Sequence, residues 1–136
     1  MGGSREALII ATGIHEDQSL RRLRAPAQDA AALGRVLADP AIGDFRVKQV
    51  IDQSARDLNR AIQQFFANRS LNDLLLVHLS CHDDGRLYFA ATDTEKEWLA
   101  STAISAAFLN DLMEHCRARS IVLLLDCCYS GAFLPG

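Results

Sequence analysis

Three short apolar runs constrain the fold of this chain more than any other feature: Ala7 to Ala11 (ALIIA), Leu74 to Leu79 (LLLVHL) and Ile121 to Leu125 (IVLLL). Each is short for a helix, and none alternates polar with apolar as a strand with one wet face does. Each therefore reads as a strand buried on both faces, the kind found in parallel sheets. Between the runs the period changes to that of a helix. From Pro26 onward, Ala30, Leu33 and Leu37 recur at spacings of three and four until Asp39-Pro40 stops them. Ser54 opens a second helix with Leu58, Ile62 and Phe65 on one face and Asp57 near its positive end, finishing near Asn68. Ser105 caps a third, which carries Phe108, Leu109, Leu112 and Cys116. Val47 to Ile51 is a further strand, Asp83-Asp84-Gly85 reads as a turn, and Leu87 to Ala90 as a brief return strand that makes a hairpin. The alternation predicts an α/β fold, a parallel sheet with helices on both faces, in one domain spanning residues 1–136.

Composition narrows the function classes. With 14 basic against 17 acidic residues and a net charge of -3, no basic surface advertises nucleic acid, and no nucleic-acid partner is expected. No apolar run approaches the roughly 20 residues of a membrane span, and the start Met1-Gly2-Gly3-Ser4-Arg5-Glu6 has no signal-peptide core, so no membrane partner is expected. The cysteines at 81, 116, 127 and 128 lack CxxC spacing, which fits a reduced, cytoplasmic setting.

Sites in open parallel sheets form at the carboxyl ends of strands, where neighbouring loops converge. Two reactive clusters leave such ends: Ser80-Cys81-His82-Asp83 and Asp126-Cys127-Cys128-Tyr129-Ser130-Gly131. A cysteine needs a nearby base to become a thiolate at neutral pH, and imidazole serves as base and then as acid. Cys128 and His82 supply that pair if their strands are neighbours, about 4.8 Å apart. Ser130-Gly131 lets the backbone after Cys128 turn tightly, as an oxyanion-binding N–H requires. The competing readings are plainer. A cysteine ending a buried strand is often a small core residue, and Cys116 is read so. His78 reads as a structural histidine within its strand, and His15 and His115 as loop and helix-end residues. A zinc site from Cys81, His82, Cys127 and Cys128 is a further alternative, disfavoured because adjacent cysteines rarely both ligate. The expectation is no metal and no cofactor, with calcium dependence open.

The order strand-SCHD, then strand-DCCYSG with Cys128 46 residues after His82, resembles the caspase and metacaspase family of cysteine peptidases. ALIIATG, DAAALGRVLADP, DGRLYFAATDT and LLLDCCYSGAF are similar to the bacterial caspase-like group found beside effector-associated domains, and the likeness runs over nearly the whole chain. The resemblance implies a caspase-haemoglobinase sandwich of which this chain is the large-subunit part, without the small-subunit region. It implies an endopeptidase acting on peptides or proteins in defence signalling. In the D-x-C-x-S-G motif Cys128 takes the place of the nucleophile, Cys127 a variable position, and Asp126 an acidic partner in the pocket for the residue before the cleaved bond. By the same likeness Asp17 or Glu16 adds a second carboxylate, so the expected cleavage follows Arg or Lys, although Arg21-Arg22 leaves room for an anion-binding pocket.

Two departures from the family pattern stand out. The usual S-G-H-G is here Ser80-Cys81-His82-Asp83, so the N–H expected to join that of Cys128 at the oxyanion belongs to Asp83, which adds a Cβ and a negative charge. A pseudo-protease acting as an interaction domain is therefore the alternative function. The second departure is the missing small-subunit region, which leads to the expectation that a partner chain or further segment completes the sheet beside Ile121 to Leu125.

Overall fold

The computed structural model describes residues 3–18, 27–80, 82–83, 88–125 and 128–129. In chain order the elements are β1 (Arg5–Ala11), α1 (Ala27–Ala38), β2 (Arg46–Ile51), α2 (Ala55–Phe66), β3 (Leu74–Ser80), β4 (His82–Asp83), β5 (Tyr88–Phe89), a 3-10 turn (Lys96–Trp98), α3 (Leu99–Thr102), β6 (Ile104–Ser105), α4 (Ala106–His115), β7 (Ser120–Leu125) and β8 (Cys128–Tyr129).

Four strands form a parallel sheet in the order β2-β1-β3-β7. Successive residues of β1 point to opposite faces, and the two faces are buried by different helices. Leu8 and Ile10, with Leu75, Val77 and Leu79 of β3, pack against Leu58, Ile62 and Phe65 of α2 and Leu109 of α4. Ile9 and Ala11 pack with Ala30, Leu33 and Leu37 of α1. The two-sided apolar runs of β1 and β3 thus have the physical cause the sequence implied, helices over both faces; Ile121 to Leu125, expected to be buried on both faces, is not, because no described element covers Val122 and Leu124. Gly34 of α1 lies against the Gln49 side chain and Ile9, where an added Cβ would sit 2.4 Å from the Gln49 amide nitrogen.

The helix caps form as expected. The Ser54 hydroxyl accepts from the Asp57 N–H, and the Ser105 hydroxyl from the Phe108 N–H. Cys116 is the C-cap of α4 and is half-buried against the core. His78 lies within β3, in register with Ile9 and Leu124, and His115 ends α4.

A second, smaller sheet has the order β6-β5-β4-β8. It departs from the sequence reading at Asp83, which lies in β4, in register with Phe89 of β5 and Tyr129 of β8, and not in a turn. The return strand is present as β5, and residues 84–87 lie outside the described residues. β6 and the 96–102 helical turns carry no apolar periodicity, because side-chain hydrogen bonds hold this segment. The Thr94 hydroxyl accepts from the Ala91 N–H at 2.7 Å and donates to the Thr102 carbonyl at 2.6 Å. The Thr102 hydroxyl donates to the Trp98 carbonyl at 2.6 Å.

β7 is the outermost strand of the larger sheet among the described residues, and its alternation of exposed and half-buried positions contrasts with the buried β3. Ile121 and Leu123 pack toward the α2 and α4 core. Val122 and Leu124, on the face that α1 covers over β1, are 40% and 42% exposed, and Leu125 is 52% exposed.

Candidate active site

The register of the central ladder places the two reactive clusters side by side. β3 and β7 run parallel with Leu79 opposite Leu125, and after a short interruption β4 and β8 continue with His82 opposite Cys128. Both pairs have the same 46-residue offset, so the two strands keep one register through the break. His82 and Cys128 are therefore backbone partners on adjacent strands at the carboxyl end of the sheet, at a spacing of about 4.8 Å between strands. Asp126, Cys127 and Cys81 lie outside the described residues, as do Arg21, Arg22 and Ser130-Gly131.

Glu16 and Asp17 lie on the loop after β1, at the same end of the sheet. They line a cavity of about 520 Å³ together with Asp93, Thr94, Glu95, Lys96, Glu97 and Trp98. The loop is fastened to the chain that follows β5. The Glu16 N–H donates to the Thr92 carbonyl at 2.9 Å, and the Lys96 N–H donates to Asp17 Oδ2 at 2.8 Å. His15, 4% exposed, directs Nδ1 to the Ala91 carbonyl at 3.3 Å. Burial pushes the His15 imidazole below its ordinary value; the Ala91 carbonyl and the charges of Asp52 and Asp17 pull the other way. Sequence reasoning placed His15, Glu16 and Asp17 on this loop but missed Asp93, Glu95, Glu97 and Trp98. The signal was the run Asp93-Thr94-Glu95-Lys96-Glu97-Trp98, dense in charge and lacking period.

Beside the same end, Phe89, Leu109, Met113, Leu123 and Leu125 line an apolar groove of about 310 Å³ between α4 and β7. Among the described residues no three His, Cys, Asp or Glu side chains are arranged to hold a metal ion. No helix among them is long and apolar enough to cross a membrane.

A parallel core with helices on both faces and a histidine and a cysteine in backbone register at its carboxyl end is an α/β sandwich. The family model of the caspase domain matches residues 4–135, and the chain belongs to that family. A search of curated proteins finds no match. The family is one of cysteine peptidases, and its substrates are proteins.

Proposed function

We propose that this chain is the catalytic part of a caspase-like cysteine endopeptidase in which Cys128 is the nucleophile and His82 its acid–base partner. The observation that carries this reading is the pairing of His82 with Cys128 across β4 and β8. The thiolate of Cys128 attacks the scissile carbonyl carbon, and the oxyanion is held by the backbone N–H groups of Cys128 and Asp83. His82 then gives its proton to the leaving amine, and water hydrolyses the thioester with His82 as base. A bacterial, cytoplasmic defence setting, free of nucleic acid and membrane and without a resident cofactor, belongs to the same proposal.

The residue before the cleaved bond is Arg or Lys. A buried or half-buried carboxylate opposite a guanidinium discriminates strongly against neutral and anionic side chains. Asp126 stands two residues before the nucleophile, and Glu16 and Asp17 line a cavity whose other charged groups are mostly carboxylates. A small-subunit region or partner chain adds a strand to β7. The exposed Val122, Leu124 and Leu125 and the apolar groove beside them support that part of the reading.

One residue favours a second reading. Asp83 stands where the family motif carries glycine, and it is held in ladders on both sides, to Phe89 and Tyr129. A chain so altered serves as an interaction domain with little turnover. Peptides carrying a thiol-reactive group after Arg, Lys or Asp decide between the two. The peptidase reading expects labelling by the Arg and Lys probes that is lost in Cys128→Ala, kept in Cys127→Ala, and no longer selective in Asp126→Ala. Absence of labelling by every probe, with Cys116 no less reactive than Cys128, favours the interaction domain.

A further inference from the structure

The loop that carries Glu16 and Asp17 is fixed by a carboxylate on the neighbouring strand. Asp52 directly follows β2, with a left-handed backbone at φ 53°. Its own N–H donates to the Ala11 carbonyl at 2.9 Å. Its Oδ1 accepts from two successive backbone groups as the chain leaves β1: the Gly13 N–H at 2.8 Å and the Ile14 N–H at 3.2 Å. One side chain thus sets the direction in which residues 13–17 leave the sheet. The same stretch closes a circuit, since the Thr92 N–H donates to the Gln53 carbonyl at 3.0 Å and the Ala55 N–H to Asp93 Oδ1 at 2.8 Å. The loops after β1, β2 and β5 are tied to one another, Asp93 joining the β5 loop to the start of α2 and Asp52 joining the end of β2 to the start of the β1 loop.

Asp52 does not line the cavity that Glu16 and Asp17 line. We infer that Asp52 is a positioning residue for substrate recognition: it holds the β1 loop so that Glu16 and Asp17 meet the cationic side chain of the substrate. This rests on the basic-residue specificity proposed above. It goes further by naming a residue outside the cavity on which that specificity depends. The role needs an acceptor oxygen and a left-handed backbone, and it does not need a charge. Asn meets both requirements, because its Oδ1 accepts hydrogen bonds and its backbone tolerates positive φ. Gly keeps the backbone free and removes the acceptor.

The test uses the whole chain with Cys128→Ala, so that binding is read without turnover. Its probes are a peptide with Arg before the scissile position and the same peptide with neutral citrulline there. Asp52→Gly is expected to weaken the Arg peptide about tenfold, the size of effect left by losing two hydrogen bonds to backbone, one part-buried and one exposed. The citrulline peptide should not change, and amide exchange at residues 13–17 should accelerate. Asp52→Asn should restore both the affinity and the slow exchange. Unchanged affinity for the Arg peptide in Asp52→Gly overturns the inference. So does an Asn variant as weak as the Gly variant, which would make Asp52 a charge and not a clamp. If the parent binds the Arg and citrulline peptides equally, the basic-residue reading itself fails. Faster exchange in Asp52→Gly would then reduce Asp52 to a structural tie and remove its positioning role.

Discussion

The two ends of the parallel sheet use the same device for different purposes. At the amino end, Asp73 precedes β3 and accepts at Oδ1 from the Ser4 N–H at 2.9 Å and the Ser4 hydroxyl at 3.2 Å, and at Oδ2 from the Ser70 N–H at 2.9 Å. At the carboxyl end, Asp52 follows β2 and accepts from Gly13 and Ile14. Each carboxylate joins the end of one strand to the chain beside another. The Asp73 clamp pins β1 and β3 where they begin, and the Leu74 N–H donating to the Ser4 carbonyl at 2.8 Å continues the same ladder. The Asp52 clamp instead holds a loop that leaves the sheet and lines a cavity with its next residues. Backbone donors around Asp73, those of Ser4 first and Ser70 second, hold its carboxyl at about 2 against an ordinary 3.8. The amino end is therefore built for stability, and the carboxyl end spends its polar groups on position.

The largest expected effect belongs to the carboxyl end. Cys128→Ala should lower peptide hydrolysis by at least about a thousandfold, the loss usual for a covalent nucleophile, with the unfolding midpoint unchanged. Steady-state rates beside thermal melts check this, and an active Cys128→Ala protein would break the contrast at its strongest point. Asp73→Ala should do the reverse. Its melting temperature should fall by roughly 4 °C, because the part-buried donors of Ser4 and Ser70 lose their acceptor, while hydrolysis per folded molecule is kept. A drop in turnover without a drop in melting temperature would show that the two ends are not separate.

Legibility in the sequence follows the same division. The strands β1 and β3 were readable as unbroken apolar runs because both their faces are buried, and the helices α1, α2 and α4 because burial of one face enforces a period; β7 was readable from its apolar run alone, and Ser54 and Ser105 announced their helices by capping chemistry. The pairing of the two strand ends that carry His82 and Cys128 was readable in outline as two clusters ending apolar runs. Its register was not, since nothing in either strand alone states which strand lies beside it. Asp83 was read as a turn because Asp-Asp-Gly is turn chemistry; pairing with Phe89 and Tyr129 overrides that local preference. The 91–102 segment was missed because Thr94, Thr102 and Asp17 shape it through hydrogen bonds to backbone, which leave no period. Asp52 was invisible for the same reason, a single aspartate whose partners lie 38 and 39 residues earlier in the chain.

The smallest effect separates the two ends by pH. His15 at the carboxyl end is buried and lies below its ordinary 6.5, so the folded state resists the proton that the unfolded chain takes up. Its linkage leaves stability untouched above about 6.5 and removes some as pH falls below that value. Asp73 at the amino end has a depressed carboxyl, so its contribution is complete above 3.8 and is lost as pH falls toward about 2. On acidification the loop after β1 should therefore loosen first and the start of β1 later. His115 acts against the first of these. Its imidazole accompanies the Asp111 carbonyl and carboxylate at the end of α4 and is raised above 6.5, so its contribution is present below 6.5 and fades as pH rises through the raised value. In a His115→Gln background, melting temperature should fall as pH drops below about 6.5, and His15→Gln should flatten that slope without altering the one below 3.8. Amide exchange at residues 13–17 should accelerate in the upper window, and exchange at residues 4–8 only in the lower. If both segments loosen together, the two ends unfold as one unit and the division between them is one of chemistry alone.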